Sequence, residues 1–531
     1  MGRLLRFSLI LIQLGWLVGC GGGSGGSTNG GSNSSSSSSS ANSPTTMVAT
    51  FNGQYAFLLT GFDATGNPMA LVGSLTADGK GNITAGSADL TDNFVLMAST
   101  GLVGTYTLDN TLRGVITFTN TLGSITHPLI FGISMKSNGT SGDVMGLDAN
   151  PLTIGGTIQQ QASSAFSLSS IAGNYVFELD SNAPNETKRQ STIGRFTLAA
   201  NGTTTAALLD TSVVGVGSTS STFSAIFNAA GPSASSGRGT LTITQNSTTN
   251  YVYYIVAVGK IFVIESDPLG SSSTIRAGVA IGQNIPSSAN TSGAVFALAG
   301  IDPTSTPSNN DCAVGVLQVT NLSSGSLTWD SNDAGTLHGG TGGANSVSNQ
   351  TVTYDATTGR GTVTVSGGFS KGLFDSSVFY LAGSGQGFMV DSTAGANNRA
   401  LAGSLQPQMQ TGSFGAATLS GTMIVRAVGN SVNNTGTVLG VFTPSSNTFT
   451  FTFDSRSPGK ADALNLVSSG DTISGINGTT GRGTLTITPT NGLGNPTTEV
   501  VYLVGQNQLV FVDVTSAPAN APAPLFFFDQ E

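Results

Sequence analysis

Arg238-Gly239-Thr240-Leu241-Thr242-Ile243-Thr244 alternates aliphatic side chains with threonines, the period-two signature of a strand that buries one face. The same stretch returns as Arg113-Gly114-Val115-Ile116-Thr117-Phe118-Thr119, Arg360-Gly361-Thr362-Val363-Thr364-Val365 and Arg482-Gly483-Thr484-Leu485-Thr486-Ile487-Thr488, at intervals of 125, 122 and 122 residues. Upstream, a glycine ahead of a hydrophobic strand recurs at Gly73, Gly194, Gly315 and Gly440. Earlier still, Gly53-Gln54-Tyr55-Ala56-Phe57 is echoed by Gly173-Asn174-Tyr175-Val176-Phe177, with looser counterparts ending at Phe296 and beginning at Gly421. Downstream, apolar runs end in an acid at Asp148, Glu265, Asp391 and Asp513. A closing segment follows: Gly156 to Gln159, Gly278 to Gln283, Gly403 to Gln406 and, degenerate, Leu525 to Gln530. Markers that keep one order at one period mean duplication.

The units run 47–162, 163–286, 287–409 and 410–531. A period of about 120 residues is too long for a solenoid turn or a propeller blade, so each unit is a whole domain. Turn signals are dense (Asp78-Gly79, Asn138-Gly139, Asn201-Gly202, Asn477-Gly478), and no window carries a 3.6-residue apolar stripe. The first unit divides into strands near 54–61, 69–76, 82–89, 102–109, 113–120, 127–135, 142–148 and 153–160. The expected fold class is therefore all-β: four tandem antiparallel domains without substantial helix outside a leader peptide. Eight short strands fit an up-and-down barrel; a β-sandwich is the alternative. The Gly-x-Tyr opening resembles the Gly-x-Trp start of lipocalin-like barrels over three residues per unit.

Only 8% of the 531 residues are charged and 73 are glycine. With few lysines and arginines, nucleic-acid binding is excluded, and helical bundles lack their usual ionic surface. Arg3 and Arg6 precede an apolar run from Phe7 to Val18, too short to span a bilayer and shaped like a secretory leader. Its end, Leu17-Val18-Gly19-Cys20, resembles the lipobox of bacterial lipoproteins. That resemblance implies removal of residues 1–19, lipidation of Cys20 and attachment to a membrane. Gly21, in place of aspartate, fits the family's sorting pattern for the outer membrane, on its periplasmic or surface-exposed face. Cys20 and the Gly/Ser-rich stretch to residue 46 form a flexible linker spanning about 28 Å. The layout as a whole resembles repeat-bearing bacterial envelope lipoproteins.

Without the leader the chain carries 16 basic and 27 acidic residues, a weak field that serves solubility. Cys312 is then alone, and His127 and His338 read as incidental. Four of the ten remaining arginines fall on one repeated slot: Arg113, Arg238, Arg360 and Arg482. A guanidinium there either clamps a ligand carboxylate or phosphate, or pairs structurally with the repeated acid of its own unit; the structural reading is preferred. The glycine after it suggests a bulge or tight turn. Asp63-x-x-Gly66 and Asp78-Gly79-Lys80-Gly81-Asn82 superficially suggest calcium, but turn chemistry explains them. Asp180, Glu186, Lys188 and Arg189 read as a solvated hairpin loop. No catalytic residue, metal ligand or cofactor is expected, because no unit groups acids with His or Lys in a way its siblings lack. Trp329 is the one tryptophan left after the leader, which weighs against a sugar-binding platform. Tyr251, Tyr253, Tyr254, Phe379, Tyr380 and Tyr502 share one repeated strand, part of which faces the core. The expected role is a membrane-anchored envelope protein with a non-enzymatic binding or structural function. Its partner is an envelope protein, a glycan or a small apolar ligand. A carrier of apolar molecules in barrel cavities is the alternative, and a carbohydrate-active enzyme comes third.

Overall fold

Alternation of apolar and hydroxyl side chains produces strands in the computed structural model, and among the described residues helix appears only as 3₁₀ turns such as Ser163–Ala165 and Phe369–Lys371. The structure describes residues 49–530 apart from 64–65, 93–94, 121–127, 148–152, 183–187, 268–273, 302, 304–309, 322–323, 334, 410–412, 429–436, 446–447, 457–462, 489–496 and 515–524. The leader, Cys20, the linker, His127, Asp148 and Glu186 lie outside the described residues.

In the first unit the strands are β1 (Asn52–Phe62), β2 (Pro68–Asp78), β3 (Asn82–Asp92), β4 (Val95–Thr100), β5 (Gly104–Leu108), β6 (Arg113–Phe118), β7 (Ile130–Met135), β8 (Ser141–Gly146) and β9 (Thr153–Gln160). Sequence neighbours pair antiparallel except β4 and β5, β3 pairs with β5, and β1 also pairs with β9, so the sheet closes on itself as a barrel and not a sandwich. One feature departs from the strands expected from sequence. β3 forms a hairpin with the short β4 through residues 87–92 and reaches β5 only at Asn82 and Ile83. The third unit repeats this split, whereas in the fourth Ala463–Ser474 fills the whole lane as one strand. The second unit follows the same path but closes thinly there. A single bridge joins Thr203 to Ile226, and the Thr204 hydroxyl accepts from Ala225 N (2.7 Å) and donates to Ala225 O (2.9 Å).

Each barrel has its own apolar core. The repeated upstream glycine has a packing reason. Gly73, Gly194 and Gly315 pair across strands with Phe57, Phe177 and Phe296, whose rings lie over them. A Cβ on Gly73 would stand 2.9 Å from Phe57 Cε1, and one on Gly194 2.7 Å from Phe177 Cζ. At two of its four positions the glycine of Arg-Gly is explained the same way, which corrects the bulge expected there. Gly239 and Gly361 sit in regular pairing opposite Tyr253 and Phe379, and those rings fill the space a side chain would need.

The barrels touch in a cycle: first with second, second with third, third with fourth, and fourth with first. Apolar clusters fill the first three junctions, Val72 and Phe262 meeting at one, Val176 and Phe388 at the next, Val314 and Val512 at the third. Glutamines latch consecutive barrels. Gln161 Nε2 donates to Ser236 O (3.0 Å), Gln283 Nε2 to Thr358 O (3.0 Å) and Gln408 Nε2 to Thr480 O (2.8 Å). Each acceptor precedes a left-handed glycine, Gly237 (φ 68°), Gly359 (φ 73°) or Gly481 (φ 68°), which turns the chain into the repeated arginine. In the first barrel Leu112 takes that position at φ 60°.

Candidate functional site

The repeated arginines start equivalent strands, and the structure places all four between barrels. Arg238 forks onto Asp89 of the first barrel through Nε (2.7 Å) and Nη2 (2.6 Å). Arg360 forks onto Asp210 of the second (2.9 and 2.7 Å), and Arg482 onto Asp330 of the third (2.7 and 2.8 Å). Arg113 closes the cycle by reaching Asp454 of the fourth barrel with Nη2 (2.6 Å). A tyrosine directly across the strand completes three of these clasps. Tyr254, Tyr380 and Tyr502 donate to the same carboxylates at 2.8, 2.6 and 2.7 Å. The carboxylates of Asp89, Asp210 and Asp330 are buried, and their hydrogen bonds raise the Arg238, Arg360 and Arg482 guanidinium groups above the ordinary arginine value. Burial raises Tyr254, Tyr380 and Tyr502 as well, so each clasp keeps a charged guanidinium and a protonated phenol on its carboxylate.

The expected acid partners are not the ones used. Glu265 pairs with Arg276 of its own barrel (2.9 Å), and Asp391 accepts from Thr393 N and Arg399 N. The Asp513 carbonyl accepts from Asn332 Nδ2 at 2.9 Å. Strand register also places Gly146, not Asp148, in the slot of Glu265. The true partners recur at 121, 120 and 124 residues, a signal present in the sequence but set in differing contexts.

Alternation within the tyrosine-rich strand sorts its rings: Tyr251, Tyr253 and Phe379 enter the cores, while Tyr254, Tyr380 and Tyr502 face the neighbouring barrel. Trp329 is buried in the third barrel and donates to Lys371 O (3.1 Å). Arg189 is not on a solvated loop. It is 2% exposed, pairs with Asp180 (2.7 Å) and reaches Ala299 O of the third barrel (3.4 Å). The Asp78 oxygens accept from Lys80 N, Asn82 N and Asn82 Nδ2, and those of Asp63 from Asn67, as turn chemistry requires. Cys312 is buried against the fourth barrel, which pushes its thiol well above the usual value.

One grouping contradicts the sequence reading. The third barrel brings Asp311, Asp333, Arg399 and His338 together: Arg399 binds Asp311 through Nη1 and Asp333 through Nη2 (2.8 Å), and His338 Nε2 lies 3.6 Å from Asp333. Arg399 also lies over Phe369 (4.4 Å) and donates to Phe369 O, pinning the loop at 367–375. The neighbouring Asn398 reaches the second barrel, its Oδ1 accepting from Ser212 Oγ (2.9 Å) and its carbonyl from Gly215 N (2.8 Å). With Arg399 and Asp311 buried and bound to one another, the group ties loops to a junction. Among the described residues, no three His, Cys, Asp or Glu side chains are placed to hold a metal ion.

Burial pushes the Asp391 carboxyl up to about 6. A carboxyl raised in the folded state contributes stability that is complete below its unfolded value and lost as pH rises through about 6. Asp391→Asn should therefore gain stability relative to the parent chain between about pH 4 and pH 7. Chemical denaturation at stepped pH measures this, and a pH-independent difference would contradict it.

The second barrel contains an apolar cavity of about 30 Å³, lined by residues including Phe177, Phe196, Phe223, Leu241 and Ile261. Ligand pockets usually need about 300–1,000 Å³. No protein-family model matches the chain, and no curated protein shows detectable similarity to it.

Proposed function

We propose that the chain is a lipid-anchored component of the bacterial cell envelope with a non-enzymatic, structural or binding role. In this reading Cys20 and its linker hold a ring of four barrels at the outer membrane. The observation that carries it is the use of the repeated arginines. The most regularly repeated polar side chain joins barrel to barrel at every junction, as expected of a scaffold whose product is its own shape. The hydroxyl- and amide-rich surface offers many neutral hydrogen-bonding groups to an envelope protein or glycan. The carrier alternative draws on the cavity in the second barrel, whose volume limits it to a ligand of very few atoms.

Radioactive palmitate supplied to producing cells should label the protein, and Cys20→Ser should abolish the label and move the protein from the membrane to the soluble fraction. Loss of attachment should be nearly complete, because several acyl chains hold at about 0.8 kcal/mol per buried CH₂ and the linker offers no apolar replacement. Label that persists without Cys20 would sink the anchoring.

A further inference from the structure

The four junctions share one register but not one chemistry. On the second, third and fourth barrels the clasp tyrosine pairs across strands with Phe262, Phe388 or Val510. In the first barrel the corresponding pair is Ser134 and Asp143. The neighbouring slot of Val252, Val378 and Val500 is Gly132. At these two slots the face that the first barrel turns to the fourth is small and polar where its siblings are large and apolar, and Met145, opposite Gly132, remains as a buried apolar side chain.

The opposing face has changed to match. The position of Leu58, Glu178 and Ala297 is Arg426 in the fourth barrel, and Arg426 Nε meets Asp143 at 3.1 Å. The slot from which Thr91 donates to Glu265 O is Arg456, which reaches Gly146 O at 3.3 Å. Arg113 holds Asp454 with one nitrogen and Asn465 Oδ1 with the other (3.3 Å), without the Nε–Nη2 fork. Ser134 Oγ, in the tyrosine slot, is buried with no hydrogen-bond partner. This is also the one junction that no chain connection crosses.

We propose that the junction of the fourth barrel with the first is a polar clasp at which the ring opens reversibly, under control of ionic strength, while the other three junctions stay closed. The other three junctions also hold ion pairs, but their carboxylates are at most 2% exposed and lie among apolar side chains, whereas a pair exposed on both sides weakens as the screening length falls from about 10 Å to about 3 Å between 0.1 and 1 M. Arg426 and Asp143 are partly exposed, at 26% and 14% of their side-chain surface. The three linked junctions keep the separated barrels at high effective concentration, so the clasp closes again.

Met145 is fully buried beside Asp143, and Cys312 is a native thiol fully buried at the third–fourth junction. The full chain carrying Met145→Cys, treated with N-ethylmaleimide and read peptide by peptide by mass spectrometry, compares both junctions in one molecule. The introduced thiol should react at least about tenfold faster than Cys312 in about 50 mM salt. It should speed up several-fold further at about 1 M, with Cys312 unchanged. Adding Asp143→Phe with Arg426→Leu, which restores the chemistry of the other junctions, should slow it toward the Cys312 rate and remove the salt response. A thiol at 145 that does not outpace Cys312, or that ignores salt, overturns the proposal whether or not the restored variant folds.

Discussion

Asp330→Ala should lower the unfolding free energy by about 3–5 kcal/mol, the cost of leaving a buried ion pair with one partner. Asp330 is wholly buried and accepts four hydrogen bonds: Arg482 Nε (2.7 Å), Arg482 Nη2 (2.8 Å), Tyr502 Oη (2.7 Å) and Gly340 N (2.6 Å). Without the carboxylate, the guanidinium and phenol stay within an otherwise apolar junction lined by Val314, Val500 and Val512. Replacing the whole clasp is a different operation. Asp330→Leu with Arg482→Met and Tyr502→Phe removes the charged and phenolic groups together, leaving only the Gly340 backbone without its partners, and should recover part of the loss. Denaturation of the single and triple variants separates these cases. A single variant within about 0.5 kcal/mol of the parent would mean that the clasp contributes nothing to the third–fourth junction. Asp454→Ala should cost less, because Arg113 lacks both the Nε–Nη2 fork and the tyrosine.

How far such a clasp can be read from sequence depends on the range of the contact. The arginine slot is legible because it opens a strand whose alternation is local. Its partner recurs as faithfully, but Ala88-Asp89-Leu90, Leu209-Asp210-Thr211, Trp329-Asp330-Ser331 and Phe453-Asp454-Ser455 share only the acid. The pairing also crosses to the preceding barrel, so looking within the unit selects the wrong carboxylate. Closure of each barrel has the same character. Thr-Leu-Thr-Ile-Thr fixes a strand and its buried face, but pairing of the first strand with the last is a contact across a whole unit that alternation does not encode. In Tyr253-Tyr254, alternation sends one ring inward, and only the neighbouring barrel explains why the outward one is also a tyrosine. The acids around Arg399 escaped notice because they come from strands 66 to 88 residues away.

Gly315→Ala tests whether the repeated upstream glycine is set by core packing, as the rings above it indicate. A Cβ there would stand 2.6 Å from Phe296 Cζ and 2.7 Å from Trp329 Cβ, and closer still to the carbonyl oxygen of Thr328. Phe296 and Trp329 are fully buried, so neither ring can swing into solvent. Overpacking a filled core costs about 1–3 kcal/mol, and the cost here should lie at the top of that range because one obstacle is backbone. Phe296→Leu in the same chain removes the ring but leaves the Thr328 carbonyl, so it should relieve only part of the loss. Gly415→Ala is the control, because its Cβ would meet nothing within 4 Å. Trp329, the one tryptophan among the described residues, reports the third barrel through its fluorescence. A Gly315→Ala chain as stable as the Gly415→Ala control, with unchanged Trp329 emission, would mean that this core yields. The glycine at 73, 194, 315 and 440 would then need an explanation other than the ring packed over it.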